Sequence, residues 1–124
     1  MPNPRIDVIA AARRLDRLTE LARSNPKIQS LELDVTNQSS VDNLARELVG
    51  KPVAVLVNNA GIFKQASYEA CDINDIEKII NVNLKGAMFC TYFSIPYLRR
   101  GSGRVINISS VAGTRGIKNQ AIYS

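Results

Sequence analysis

The stretch "PVAVLVNNAG", residues 52–61, is a continuous apolar run that ends in a turn. Such a run is typical of a strand that is buried on both faces, as the strands of parallel sheets are. Other apolar or β-branched runs on either side of it predict three more strands, at residues 5–11, 27–35 and 103–110. The run at 52–61 is therefore predicted to be the third of four strands.

Apolar residues at helical spacing fill the segments between these strands. They predict three helices, at residues 15–24, 37–49 and 73–98, and the last of these is expected to end or bend near Pro96. Strands that alternate with helices imply right-handed crossovers. The predicted fold class is therefore α/β, with a doubly wound parallel sheet.

Composition excludes several kinds of site. The chain has 124 residues, enough for one domain at most, and it contains no His and no Trp. Ser-His-Asp chemistry and a His-based zinc site are therefore excluded, and no metal is predicted because Cys71 and Cys90 lack metal-like spacing. Both cysteines are expected to be buried free thiols in a reducing compartment. The chain has no apolar run of membrane-spanning length and no secretion signal, so a cytoplasmic location is predicted.

The net charge of +5 raises the question of nucleic-acid binding. Acidic residues are interleaved with the basic ones along the whole chain. No predicted helix carries a basic stripe on one side, and no aromatic-rich strand offers a platform on which bases could stack. Solvated surface charge is the better interpretation, and no nucleic-acid partner is predicted.

Small, polar or charged residues follow each predicted strand. In doubly wound sheets the ligand crevice lies at the carboxyl ends of the strands. The residues at those ends are 12–14, 34–36, 58–61 and 109–113. Loops of α/β proteins are usually polar, so no single one of these segments identifies a ligand.

Four motifs taken together are more specific. They are "LDVT" (33–36), "VLVNNAG" (55–61), "NVNLKG" (81–86), and "GRVINISSVAG" (103–113) followed by Tyr123. Their order and spacing resemble those of the short-chain dehydrogenase/reductase family, in its main Rossmann-fold subfamily. The resemblance covers essentially the whole chain. It implies a Rossmann-type domain that transfers a hydride between a nicotinamide cofactor and a carbonyl or secondary alcohol; it identifies no substrate beyond that pair.

The resemblance also implies catalytic roles. Tyr123 resembles the acid/base that exchanges a proton with the substrate oxygen, and Ser110 resembles the residue that hydrogen-bonds that oxygen. Ser109 is expected to point the other way by strand alternation. Asn83 resembles the residue that anchors a water of the proton relay. A free phenol has a pKa near 10. In the family, a lysine four residues after the tyrosine lowers that value and holds the nicotinamide ribose.

On the cofactor side, the resemblance implies contacts of Asp34 and Val35 with adenine and of Asn58 near the adenosine ribose. Ala60, Gly61 and Tyr123 are also assigned to the cofactor site. In the position where NAD-preferring members usually carry an acid, this chain has Ala12, followed by Arg13 and Arg14. A guanidinium can bind the 2′-phosphate of NADP in bidentate fashion. We therefore expect NADP, held mainly by Arg13, with NAD less favoured. The alternative is that "ARR" (12–14) begins an exposed basic helix, an interpretation that fits Arg14 and Arg17.

The sequence also departs from the family pattern. The first strand and its glycine-rich loop are missing before residue 5, and the lysine, the later strands and the substrate lid are missing after Ser124. We therefore expect residues 1–124 to be a single partial NAD(P)-binding domain, truncated at both ends, with two sheet fragments and unpaired apolar edges. A fragment of a longer protein, a misplaced start codon or a split gene would each produce it.

Two hypotheses remain open for this sequence. In the first, the chain is part of an oxidoreductase that is active only at full length, where the resemblance implies a homo-oligomer, a dimer or tetramer. The 124-residue chain alone is then expected to be inactive and poorly soluble. In the second, it is a non-catalytic α/β module that binds a partner, or a full-length relative, through helix 73–98.

Overall fold

The structure is a computed structural model, and it describes residues 6–124. Strands and helices alternate, as predicted: β1 (Val8–Ala12), α1 (Leu15–Ser24), β2 (Ile28–Glu32), α2 (Gln38–Glu47), β3 (Val55–Asn58), α3 (Ile73–Ile79), α4 (Ala87–Arg100) and β4 (Arg104–Asn107). A π-helical segment, Ile80–Gly86, joins α3 to α4, and two short 3₁₀ turns span Tyr68–Ala70 and Val111–Gly113. The first residue of the predicted strand 5–11 lies outside the described residues. The α/β fold class is confirmed.

The chain divides into two compact units, and the first of them ends at Asp34. In this unit β1 and β2 pair in parallel, with Val8 opposite Ile28 and Ala12 opposite Glu32. Helix α1 connects the two strands and packs on β2, and it buries Leu18. The predicted strand–helix–strand unit is therefore present.

The second unit runs from Val35 to Ser124. Its strands β3 and β4 also pair in parallel, with Val55 opposite Arg104 and Asn58 opposite Asn107. Helix α4 packs on β3, on β4 and on α2. The buried apolar side chains of this unit come mainly from its helices: Val41, Leu44, Leu48, Ile79, Cys90, Leu98 and Ala112. The four described strands thus form two separate two-stranded sheets.

Strand β3 is not buried on both faces, and that prediction is wrong. Val55 and Val57 are each about half exposed (49% and 50%), whereas Leu56, between them, is partly covered. Successive strand side chains point to opposite faces, so only the face covered by α4 is shielded. The apolar run at 52–61 shows that both faces of β3 are hydrophobic. It does not show whether a layer of helices covers each face.

The predicted helix 73–98 is divided by the π-helical segment and extends further than expected. Asp72 and Asp75 form a reciprocal capping box at its start. It continues through Pro96 to Arg100, so the expected end near Pro96 is wrong. Pro96 lies on an exposed turn, where water can bond the carbonyl that proline leaves without an N–H donor. After the helix, Gly103 lies close to the Val53 backbone. A Cβ added to Gly103 would overlap that backbone and would lie 2.8 Å from Leu98 Cδ2, so a side chain does not fit there.

No helix within residues 6–124 combines the length and the apolar character that crossing a membrane would require.

Candidate active site

Asn83 is held by two hydrogen bonds to the backbone of Ile62. Its Oδ1 accepts from the Ile62 N–H at 2.8 Å, and its Nδ2 donates to the Ile62 carbonyl at 2.8 Å. Asn83 lies in the π-helical segment and is partly buried. Such segments are frequent at functional sites because they displace side chains from the ordinary helical register. Asn83 is therefore not a solvated surface side chain.

Asn58, at the end of β3, also uses its side-chain amide to form hydrogen bonds within the fold. Nδ2 donates to Thr91 Oγ1 at 2.9 Å and to Asn107 Oδ1 at 2.8 Å. Its backbone carbonyl accepts from the Ile108 N–H at 2.9 Å. These bonds join the ends of β3 and β4 to α4. They leave the Asn58 Oδ1 as the acceptor through which a ligand could be bound.

Ser110 lies outside the strand, so the alternation argument for preferring it over Ser109 does not apply. Strand β4 ends at Asn107. Ser110 begins the 3₁₀ turn Val111–Gly113, and its Oγ accepts from the Ala112 N–H at 3.2 Å. Its hydroxyl hydrogen is then available to donate to a substrate oxygen. The preference for Ser110 now rests on this turn and on the family resemblance.

Tyr123 is not part of a helix in the structure. It lies in a hydrogen-bonded turn in which its N–H donates to the Gln120 carbonyl at 2.9 Å. Its ring is partly covered and packs against Phe63, with ring centroids 5.9 Å apart and planes tilted by 55°. Phe63 follows Ile62, which Asn83 holds. Asn83 and Tyr123 therefore flank the same two residues.

The cofactor residues Asp34 and Val35 follow β2, and both are partly buried. Val35 packs against the π-helical segment, because a Cβ added to Gly86 would lie 2.6 Å from Val35 Cγ2. Ala60 and Gly61 are exposed in the turn after β3, and an added Cβ on Gly61 would lie 3.7 Å from Asn83 Oδ1. The small residues leave the backbone of this turn accessible.

Arg13 and Arg14 come directly after β1, and both are exposed. Arg14 precedes the first residue of α1 and makes no side-chain capping bond. The guanidinium donors of both arginines therefore suit a phosphate group.

Sequence reasoning did not predict the contacts of the loop between β3 and the 3₁₀ turn at Tyr68. Lys64 Nζ forms an ion pair with Asp75 of the capping box. The hydrogen bond between them raises the pKa of Lys64 and is the main reason that the pKa of Asp75 is lowered. The sequence does show an acid, Asp75, three residues after the Asp72 cap, as a capping box requires. It does not show that Lys64, eleven positions earlier, is the partner of Asp75.

Two open depressions, of about 380 and 410 Å³, lie along α4 and not beside Tyr123. Tyr92 and Phe93 line both of them. Most of their lining is apolar or aromatic, and none of the predicted site residues contributes to it. The candidate site is instead defined by Asn83, Ser110 and Tyr123.

Known proteins resemble this chain in sequence and in fold. A family model described as short chain dehydrogenase matches residues 5–124. A ketoacyl reductase of Nostoc sp. is 38% identical over 102 residues, which cover 79% of this chain and 35% of that protein. A 3-oxoacyl-acyl-carrier-protein reductase of Thermotoga maritima is 35% identical over 114 residues, covering 89% of this chain and 46% of that protein.

A solved structure of serine dehydrogenase in a closed form, complexed with NADP+, shares 30% identity. The TM-score is 0.83, and the match covers 94% of this chain and 49% of that one. The chain thus spans about half the length of the solved structure, and 35% to 46% of the two curated relatives.

Proposed function

Because the chain belongs to the short-chain dehydrogenase family, a Rossmann-like α/β family of oxidoreductases, we propose that it takes part in hydride transfer between NADP and a carbonyl or secondary alcohol. In this proposal residues 1–124 are part of one NAD(P)-binding domain. The observation that carries it is the common neighbourhood of Asn83 and Tyr123 around Ile62 and Phe63. The names of the two reductases support the carbonyl side of the reaction.

Tyr123 is the proton donor in the reducing direction. Its hydroxyl passes a proton to the substrate oxygen as the carbonyl carbon receives a hydride, and the reverse transfer accompanies oxidation. NADP, when bound, supplies or accepts that hydride. Ser110 donates its free hydroxyl hydrogen to the same oxygen and so stabilises the charge that develops there. Asn83 retains one amide hydrogen and one Oδ1 lone pair, with which it can hold a water.

Substitution of Tyr123 in the full-length protein that contains this chain tests the catalytic part of the proposal. Tyr123→Phe removes the transferable proton but keeps the ring, so turnover of a ketone with NADPH is expected to fall by about a hundredfold or more. Ser110→Ala is expected to reduce kcat in the same direction. The matched control is Tyr68→Phe, because Tyr68 is exposed and belongs to the turn at 68–70. Unchanged turnover in Tyr123→Phe would remove the assignment.

The preference for NADP is supported by the exposed Arg13 and Arg14 after β1. Arg13→Ala deletes charge-assisted hydrogen bonds to the 2′-phosphate, each worth about 1.5–3 kcal/mol, so the Kd for NADPH should rise by about tenfold or more. The Kd for NADH should stay the same, because NADH has no such phosphate. Arg17→Ala is the matched control on α1. An equal rise in the Kd values for NADPH and NADH would show that Arg13 does not bind the 2′-phosphate.

An apolar stripe on the long helix supports a homo-oligomer. Leu84, Met88, Tyr92 and Ile95 recur at helical spacing and are all exposed, Met88 and Tyr92 by 61% and 69%. Stripes of this kind mark association surfaces. We propose that a second copy of the chain covers it. Met88→Glu should lower the oligomer mass measured by light scattering, whereas Glu77→Lys on α3 should not.

The same stripe also supports the alternative of a non-catalytic module that binds a relative through this helix. In that case Met88→Glu would abolish binding to the relative, and Tyr123→Phe would leave the protein's properties unchanged.

A cytoplasmic location is proposed from the two cysteines, which are both free in the structure.

A further inference from the structure

Three anchors hold the loop of residues 62–67, here called the brace loop, at alternate positions. Asn83 holds Ile62 by two hydrogen bonds of 2.8 Å. Asp75 holds Lys64 by an ion pair. The Ala66 N–H donates to the Asn119 carbonyl at 2.8 Å. The loop is thus tied to the π-helical segment, to the start of α3 and to the segment that leads into Tyr123.

Phe63 stands between the first two anchors and touches Tyr123. Its ring is 63% exposed, so it is not held by burial in the core. Its backbone is fixed instead by the bonds to the residues on either side of it. The Phe63 ring therefore packs against one side of the Tyr123 ring, at a centroid distance of 5.9 Å, and restricts its movement on that side.

The turn that carries Tyr123 is fixed from its other end by the third anchor. Asn119, whose carbonyl Ala66 engages, has a positive φ of 62°, which few residues other than Gly and Asn adopt readily. The chain from Asn119 to Tyr123 is closed by the bonds from Gln120 N–H to Ile117 and from Tyr123 N–H to Gln120. The brace loop thus contacts both the backbone and the side chain of this segment.

We propose that the brace loop positions the phenol of Tyr123, with Phe63 as the positioning residue and Lys64–Asp75 as its anchor. The catalytic meaning of this role rests on the proposed function, but the contact itself does not. Phe63 limits the rotation of the Tyr123 side chain, so the hydroxyl meets the substrate oxygen in one orientation. Lys64 serves as an anchor and not as an anion site, because its charge is engaged by Asp75.

The contact is tested first by NMR on the full-length protein that contains this chain, with tyrosine rings labelled and the Tyr123 signals assigned by comparison with Tyr123→Phe. Phe63→Leu should move the Tyr123 ring resonances toward those of a free tyrosine and remove the cross-peaks between the two rings. Asp75→Asn should cause a smaller shift in the same direction. Phe89→Leu, a matched change on α4, should leave the Tyr123 signals in place. Unmoved signals in Phe63→Leu would overturn the proposal.

Turnover by the full-length protein tests the consequence for catalysis. Phe63→Leu should lower kcat by between about tenfold and a hundredfold, the scale expected when a reacting group is misplaced, and leave KM for the carbonyl nearly unchanged. Phe63→Tyr should keep kcat near the wild-type value, because it retains an aromatic ring that can pack against Tyr123. A raised KM with normal kcat would overturn positioning and identify Phe63 as a substrate contact.

The two proposals fail in different ways. Activity retained in Tyr123→Phe would contradict the proposed function, while a shifted Tyr123 signal in Phe63→Leu would still support the brace. Conversely, loss of activity in Tyr123→Phe together with unmoved ring signals in Phe63→Leu would support the proposed function and overturn the brace.

Discussion

Asn83→Ala removes the pair of hydrogen bonds that holds the brace loop to the π-helical segment. Both bonds are 2.8 Å long, and they satisfy the N–H and the carbonyl of one residue, Ile62. The substitution leaves these two backbone groups without their side-chain partner and removes no large apolar surface. Its effect therefore measures the hydrogen bonds themselves.

The expected magnitude follows from the number of bonds and from their exposure. An intramolecular hydrogen bond contributes about 0.5–1.5 kcal/mol net, so two bonds give about 1–3 kcal/mol. Ile62 and Asn83 are only partly buried, so water can reach the freed groups. The loss in free energy of unfolding is therefore expected in the lower half of that range, at about 1–2 kcal/mol.

Urea denaturation with circular dichroism measures this loss, and amide exchange at Ile62 locates it. Asn81→Ala is the matched control, since Asn81 lies in the same segment, is partly buried and has no recorded side-chain hydrogen bond within residues 6–124. A loss below about 0.5 kcal/mol, with Ile62 exchange unchanged, would refute the reasoning.

Two further predictions follow from packing. Gly86→Ala should lower the free energy of unfolding by about 1–3 kcal/mol, because the new methyl group would overlap Val35, whereas Gly116→Ala has open space around it; adding Val35→Ala to the first variant should recover much of the loss in the same urea assay. Cys71 should react with a thiol reagent well before Cys90, because burial raises the pKa of the Cys90 thiol and covers the sulfur; equal rates in the native protein would contradict this burial.

The sequence predicts the candidate site as a set of residues but gives none of their contacts. Motif spacing pointed to Asn83, Ser110 and Tyr123 because the family uses these residue types at these intervals. It did not show that Asn83 bonds to the backbone of Ile62, which is 21 positions away. It also placed Ser110 on a strand, although the strand ends three residues earlier in the structure.

Cysteine burial shows the same limit at the level of single residues. Both thiols were expected to be buried, and Cys90 is, with 4% exposure. Cys71 is only partly covered, so that half of the prediction is wrong. Cys71 directly precedes the Asp72 cap, at the surface where α3 begins. A helical apolar pattern does not identify such an end.

The order of strands and helices was determined by the sequence alone, because hydrophobic periodicity and capping residues act within a few positions. Helix α1, expected at 15–24, spans Leu15–Ser24 in the structure. Only the tertiary structure decided which residues support Tyr123. Phe63 is sixty positions away from it and carries no local pattern that marks it as a partner. Contacts of that kind arise from how the loops after β3 and β4 meet, and periodicity along the chain carries no information about that meeting.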